Sequence, residues 1–194
     1  MSVNPAELSR LWDEQWPEYP KVSYELRAIP DRWVRFHALP GSKRYPESEA
    51  EYAVVLARHN AILSSLIATR TVLVVAAGYS ATASPHASLR PEGVDHLLLE
   101  AVHWSSVLID AEPGSESWMH LYVSEILDAP HALSPLLRLV ADHEIANVLI
   151  ADPSLNWLYH PYDGGMDVLL PSTAKRDALR GQHRSWLSSH PSGL

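Results

Sequence analysis

The sequence has no cysteine and a single phenylalanine, Phe36, among 194 residues. The first absence excludes disulfides, thiolate metal sites and cysteine nucleophiles, and it fits a reducing compartment, so a cytoplasmic location is expected. The second leaves the aromatic content to seven tryptophans and eight tyrosines. Their polar atoms need partners, which favours core edges and grooves over a purely apolar interior. Long apolar runs are missing too. Val72–Ala77 and Leu97–Leu99 stand out, far short of the roughly 20 residues of a membrane helix. Met1–Trp16 is polar and broken by charge, so no secretory leader is expected.

Positive charge is scarce. Fifteen Lys and Arg face 23 Asp and Glu, a formal net charge of −8, which argues against nucleic-acid or anionic-membrane partners. What remains, 46% hydrophobic and 20% charged residues, is a globular mix sized for one domain.

Local patterns alternate between helix and strand. Asn4-Pro5-Ala6-Glu7 reads as a capped helix start. Val22–Leu26 and Arg32–His37 read as strands around a turn at Pro30-Asp31. Tyr52, Val55, Leu56, His59, Ile62, Leu63, Leu66 and Ile67 form a stripe of period near 3.6 on a helix over 47–68. The valine-rich 71–79 segment reads as a strand buried on both faces. Ala81–Gly93 reads as a mobile loop. Strands over 101–110 and 118–126 form a hairpin, as do 156–160 and 166–170 around Pro161–Gly165. A short helix from Ser134, a strand at 147–151 and a last helix capped by Ser172 complete the order. Hairpins dominate, so the expected fold is α+β: one domain with a mixed, largely antiparallel sheet covered by about four helices.

Five of the fifteen basic side chains, Arg27, Arg32, Arg35, Lys43 and Arg44, fall within eighteen residues. The Gly41-Ser42-Lys43-Arg44 loop runs into a helix start, where free amides and the helix dipole favour an anion. Arg32, Arg35, His37, Lys43 and Arg44 are therefore candidate anion-binding residues. The competing reading pairs these cations with Glu47, Glu49 and Glu51 next door. The glycine framework of a phosphate-binding P-loop is lacking.

Histidine is abundant, at eleven residues, yet no His-Glu-x-x-His or other metal spacing occurs, so neither metal nor cofactor is expected. His160, Asp163 and Asp167 flank the second hairpin turn, but Tyr162-Asp163-Gly164-Gly165 is also what a tight turn requires. No Gly-x-Ser-x-Gly nucleophile elbow is present. His59, on the apolar stripe, reads as a packed histidine rather than a base.

The segment from Arg32 to Tyr45 resembles a recurring stretch of uncharacterised bacterial proteins. Trp157–Val168, followed by the Trp186 helix, is similar to the Tyr-Asp-Asp-Arg-Gly-Met-Asp hairpin of a bacterial domain-of-unknown-function family. In this chain Asp163-Gly164-Gly165 is one residue shorter and lacks the arginine. Some members of that family are held to be immunity proteins of polymorphic toxin systems, so the resemblance implies neutralisation of a toxin by protein–protein binding. Together with the acidic charge and the absence of a catalytic signature, it favours a binding protein over an enzyme. The expected partner is a protein with a basic surface. Trp157, Tyr159, Tyr162, Asp163 and Asp167 are the candidate contact residues, combining aromatic anchors with steering carboxylates. Two other readings stand beside it. One is a small enzyme or sensor acting on a phosphorylated or anionic small molecule through Arg35, His37, Lys43 and Arg44; the other is a structural subunit of a homo-oligomer.

Overall fold

Asn4 accepts hydrogen bonds from the amides of Ala6 (3.0 Å) and Glu7 (3.4 Å), and Pro5 fills the first helical position, so α1 spans Pro5–Gln15. Ser48 and Ser172 cap α2 (Glu49–Leu66) and α4 (Thr173–Gln182) in the same way. Pro135 stands in the first turn of α3 (Ser134–Ala141). The structure is a computed structural model and describes residues 3–17, 19–85, 98, 100–112 and 114–188. The expected mobile loop at Ala81–Gly93 lies largely outside the described residues.

The strands are β1 (Trp33–His37), β2 (Thr71–Ser80), β3 (Val102–Asp110), β4 (Ser117–Leu127), β5 (Leu149–Ala151), β6 (Leu158–Tyr162) and β7 (Gly165–Leu169). They form one sheet in the order β1-β7-β6-β5-β2-β4-β3, and every pairing is antiparallel. The chain is thus an α+β domain, and both expected hairpins, β3–β4 and β6–β7, are present. The turn of the second is tighter than its sequence suggested, since β6 continues through Tyr162 and β7 begins at Gly165.

Alternation gives each strand two faces to fill. Val72, Val74 and Ala76 of β2 join one core, with Phe36, Ile62, Leu63, Leu137, Tyr159 and Met166, under α2, α3 and α4. Leu73, Val75 and Ala77 join the other, with Leu8 and Trp12 of α1 and Trp16 just after it. Both faces of β2 are covered, which is why its sequence does not alternate.

The stretch Val22–Leu26 is not a strand. Ser23–Ala28 forms a 3-10 turn, and Ser23, Leu26 and the capping Ile29, three residues apart, are buried. Side chains at i and i+3 eclipse in such a helix. Tyr24 and Arg27, also three apart, consequently share the outer side, where both are exposed. The hydrophobic spacing of Val22 and Leu26 fits a strand as well as a turn, and tertiary packing selected the turn.

Candidate functional site

The pairing of β1 with β7 brings together two segments that lie far apart in the chain. The register sets His160 of β6 opposite Asp167 of β7, and Asp167 opposite Arg35 of β1. Three neighbouring strands therefore present a His160–Asp167–Arg35 row on one face of the sheet, the face that α1 covers further along. Directly opposed side chains in antiparallel pairs stand roughly 5 Å apart, close enough to interact. Arg35 donates from Nε to Asp167 Oδ1 (2.7 Å) and from Nη2 to Oδ2 (2.8 Å), a bidentate pair. Nη1 is the nitrogen that this pairing leaves over.

Asp167 is buried and Arg35 partly so, with side-chain exposures of 2% and 18%. Removing one partner of such a pair strands the other charge and costs about 3–5 kcal/mol. The Arg35 guanidinium also lies between two rings, 5.3 Å from the centroid of Trp33 and 5.2 Å from that of Tyr162. Gly165 makes the second contact possible. A Cβ there would stand 2.2 Å from the Phe36 carbonyl oxygen and 3.0 Å from the Tyr162 hydroxyl, so the absent side chain is what lets the tyrosine reach over β7.

His160 is 5% exposed, and its Nδ1 lies 2.8 Å from the Val148 carbonyl. A carbonyl only accepts, so Nδ1 carries the proton and Nε2 holds a lone pair with no hydrogen-bond partner among the described residues. Burial lowers the pKa of His160 and outweighs the Val148 hydrogen bond and the Asp167 charge, which act the other way. Burial, reinforced by Asp167, raises the pKa of Tyr162 and keeps its phenol protonated.

Above this row the 3-10 turn supplies Tyr24 and Arg27. The two elements enclose a pocket of about 170 Å³ lined by Tyr24, Arg27, Arg35, His160, Tyr162 and Asp167. That is smaller than the roughly 300–1,000 Å³ of drug-sized ligand sites and suits a molecule of amino-acid size. Arg27 makes no ion pair among the described residues, and the hydroxyls of Tyr24 and Tyr162 make no hydrogen bond among them.

The other candidate residues lie elsewhere. Arg32 donates to the Leu170 carbonyl (2.7 Å) and stacks on Trp16, 4.0 Å from the ring centroid. Lys43 donates to Glu51 (2.7 and 2.8 Å) and Glu47 (3.0 Å), so the start of α2 is furnished with the chain's own carboxylates. Arg44 pairs with Asp163 at 2.9 Å. His37 stands beyond the pocket, its Nε2 buried and without a hydrogen-bond partner among the described residues. Burial, with Arg35 and Arg58 nearby, lowers its pKa. The five candidate anion ligands are therefore dispersed, and only Arg35 lines the pocket. On the hairpin, Trp157 and Tyr159 are buried in the core rather than displayed, and Asp163 and Asp167 are buried against arginines. Of that set only Tyr162 and Asp167 reach the pocket. Tyr24 and His160 were not grouped with Arg35 from sequence, and Arg27, counted in the same basic run as Arg35, was not carried into the candidate anion-binding set. The i,i+3 spacing of Tyr24 and Arg27 was the available signal, and the strand reading of 22–26 concealed it.

A second polar group lies on β2, β3 and β4, where buried His120 is bonded at both ring nitrogens, to Ser106 (2.7 Å) and Ser80 (2.8 Å). It is satisfied internally. Among the described residues no group of three His, Asp or Glu side chains is placed to hold a metal ion, and no helix is long and apolar enough to cross a membrane.

These features define a single-sheet α+β domain with one face sealed by helices and a polar pocket on the other. The chain belongs to a family described as a domain of unknown function (DUF3885), whose model matches residues 22–191. The match takes in the whole sheet and both segments on which the sequence resemblance rests. No curated protein and no solved structure matches the chain.

Proposed function

We propose that this protein is a binding domain for a small anionic molecule, taken up in the pocket between the 3-10 turn and the β6-β7-β1 end of the sheet. The observation that carries the reading is local charge. Arg27 and Arg35 face a single carboxylate, Asp167, inside a protein of net charge −8. Asp167 spends both oxygens on Arg35. Arg27, Arg35 Nη1 and the two tyrosine hydroxyls remain as donors, and charge-assisted hydrogen bonds from such groups are worth about 1.5–3 kcal/mol each. Nothing in the pocket has the arrangement of a nucleophile with its base, so uptake without chemistry, as in a sensor or carrier, is the reading preferred here. Thermal unfolding with added phosphate or small carboxylates tests it. At a hundred times Kd a ligand adds about 2.7 kcal/mol, a rise in Tm of roughly 5–10 °C for a domain of this size. No shift with any such anion in the intact protein, or an equal shift in an Arg27→Ala variant, rejects it.

A protein partner with a basic surface, such as a toxin, is the second reading. It is favoured by the β3–β4 hairpin, where Leu108 and Ile109 are 41% and 38% exposed beside exposed Asp110, Glu112 and Glu116. This combination of apolar contact and steering charge was expected at the β6–β7 turn. An association rate indifferent to ionic strength would count against it.

A further inference from the structure

Inside the pocket, one group asks for something a bare anion does not offer. His160 Nδ1–H is committed to the Val148 carbonyl at 2.8 Å, and the ring is almost wholly buried. Its Nε2 is therefore a fixed acceptor in a pocket where every other unspent polar atom (Arg27, Arg35 Nη1, the Tyr24 and Tyr162 hydroxyls) is a donor or able to donate. None of them satisfies it in the structure. Nε2 opens onto the pocket, so a ligand that fills the space beside it without a donor shuts the acceptor off from solvent unpaired, which is unfavourable, while one that supplies a proton avoids that penalty. Sites of this kind discriminate strongly against analogues that lack the matching group.

We propose that the pocket selects anions that carry their own O–H donor, the anionic group held by Arg27 and Arg35 and the hydroxyl donating to His160 Nε2. The inference rests on the small-anion reading above. Two chemistries meet the requirement: a hydroxy-carboxylate, and a phosphate that retains a proton. An ammonium donor in place of the hydroxyl fits less well, because it would add a positive charge beside two guanidiniums with only Asp167 to oppose them.

Matched probes test this by titration calorimetry: lactate against propionate and glycolate against acetate for the carboxylate arm, phosphate against sulfate for the oxyanion arm. The hydroxyl-bearing member of at least one arm should bind ten or more times more tightly, and the arm in which it does so identifies the ligand class. In His160→Asn the side-chain amide can keep the bond to Val148 but has nothing at the Nε2 position. The preference should fall to within about twofold. Should that variant fold poorly, the ring ¹⁵N resonances of the intact protein supply the same answer. His160 Nε2 should shift on adding the hydroxyl-bearing probe and stay in place with its partner. Equal binding of both members of every pair overturns the inference but leaves the anion pocket standing. A preference that survives in His160→Asn, or an Nε2 resonance that never responds, also overturns it. If none of the six probes binds, the inference falls together with the anion reading.

Discussion

Tyr159 and His160 are neighbours on β6, and because side chains alternate they serve opposite faces of the sheet. On the first face Tyr159 meets His59 of α2, Nδ1 to hydroxyl at 2.5 Å, where packing of the helix on the sheet leaves His59 1% exposed. Burial drives the pKa of His59 down to about 3. On the second face His160 is nearly as buried, but its cover is a 3-10 turn of six residues, and an opening remains beside it. Long helices can close a sheet face over its whole width. A short turn closes only part of one, and the uncovered polar row is where a ligand can enter. A pairing across one buried hydrogen bond is structural; an acceptor left open at a pocket wall is available for recognition.

The sharpest way to break this contrast is to remove a charge from the polar face. Arg35→Met leaves Asp167 buried and unpaired, and about 3–5 kcal/mol of stability should be lost in urea unfolding. Adding Asp167→Leu should recover most of it, because an apolar pair of similar volume carries no desolvation penalty. Failure of the double variant to recover would mean that the pair holds the β1–β7 register and is not merely balanced. Gly165→Ala comes next. Its Cβ meets the Phe36 carbonyl and the Tyr162 hydroxyl, so about 1–3 kcal/mol should go, and anion binding should weaken with it as Tyr162 is displaced.

The sealed face is probed by pH. The folded pKa of His59 lies below its ordinary value, so between about pH 6.5 and 3 the unfolded chain binds a proton that the folded one refuses. Its contribution is fully present above about pH 6.5 and declines on acidification, by about 1.4 kcal/mol per pH unit, or about 2 kcal/mol by pH 5. His160, also depressed, acts in the same direction. Unfolding curves at pH 7, 6 and 5 should show the decline, and His59→Gln should flatten it. The smallest effect on stability is expected from Arg27→Ala. Removing this exposed side chain should change unfolding by no more than about 0.5 kcal/mol, yet cost about 1–3 kcal/mol of anion affinity. The separation of those two numbers is what distinguishes a binding residue from a structural one.

Much of the architecture is local in origin and could be read without coordinates. Asn4, Ser48 and Ser172 satisfy free amides within three residues of themselves, so their helices announce where they begin. Both hairpins pair segments joined by short turns, and the 3.6-residue stripe on α2 placed His59 correctly in the core. The 3-10 turn was missed because Val22 and Leu26 suit two structures, and only packing against β6 and β7 decides between them. The roles of the arginines were ambiguous for a related reason. Lys43 found its carboxylates four and eight residues away, within reach of a sequence argument. Arg35 found Asp167 at a separation of 132 residues, and Arg44 found Asp163 at 119.

By itself, then, the sequence determined an acidic, cysteine-free α+β chain, its helix starts, its hairpins and the buried stripe of α2. These follow from short-range hydrogen bonding and from the two periodicities of the backbone. The tertiary structure alone decided that β1 closes the sheet against β7. That pairing sets Arg35 against Asp167, while packing under the helices of the opposite face buries Trp157 and Tyr159, and His160 is left lining the pocket. Strand register between distant segments is set by how whole faces pack, and no local stretch of sequence encodes it.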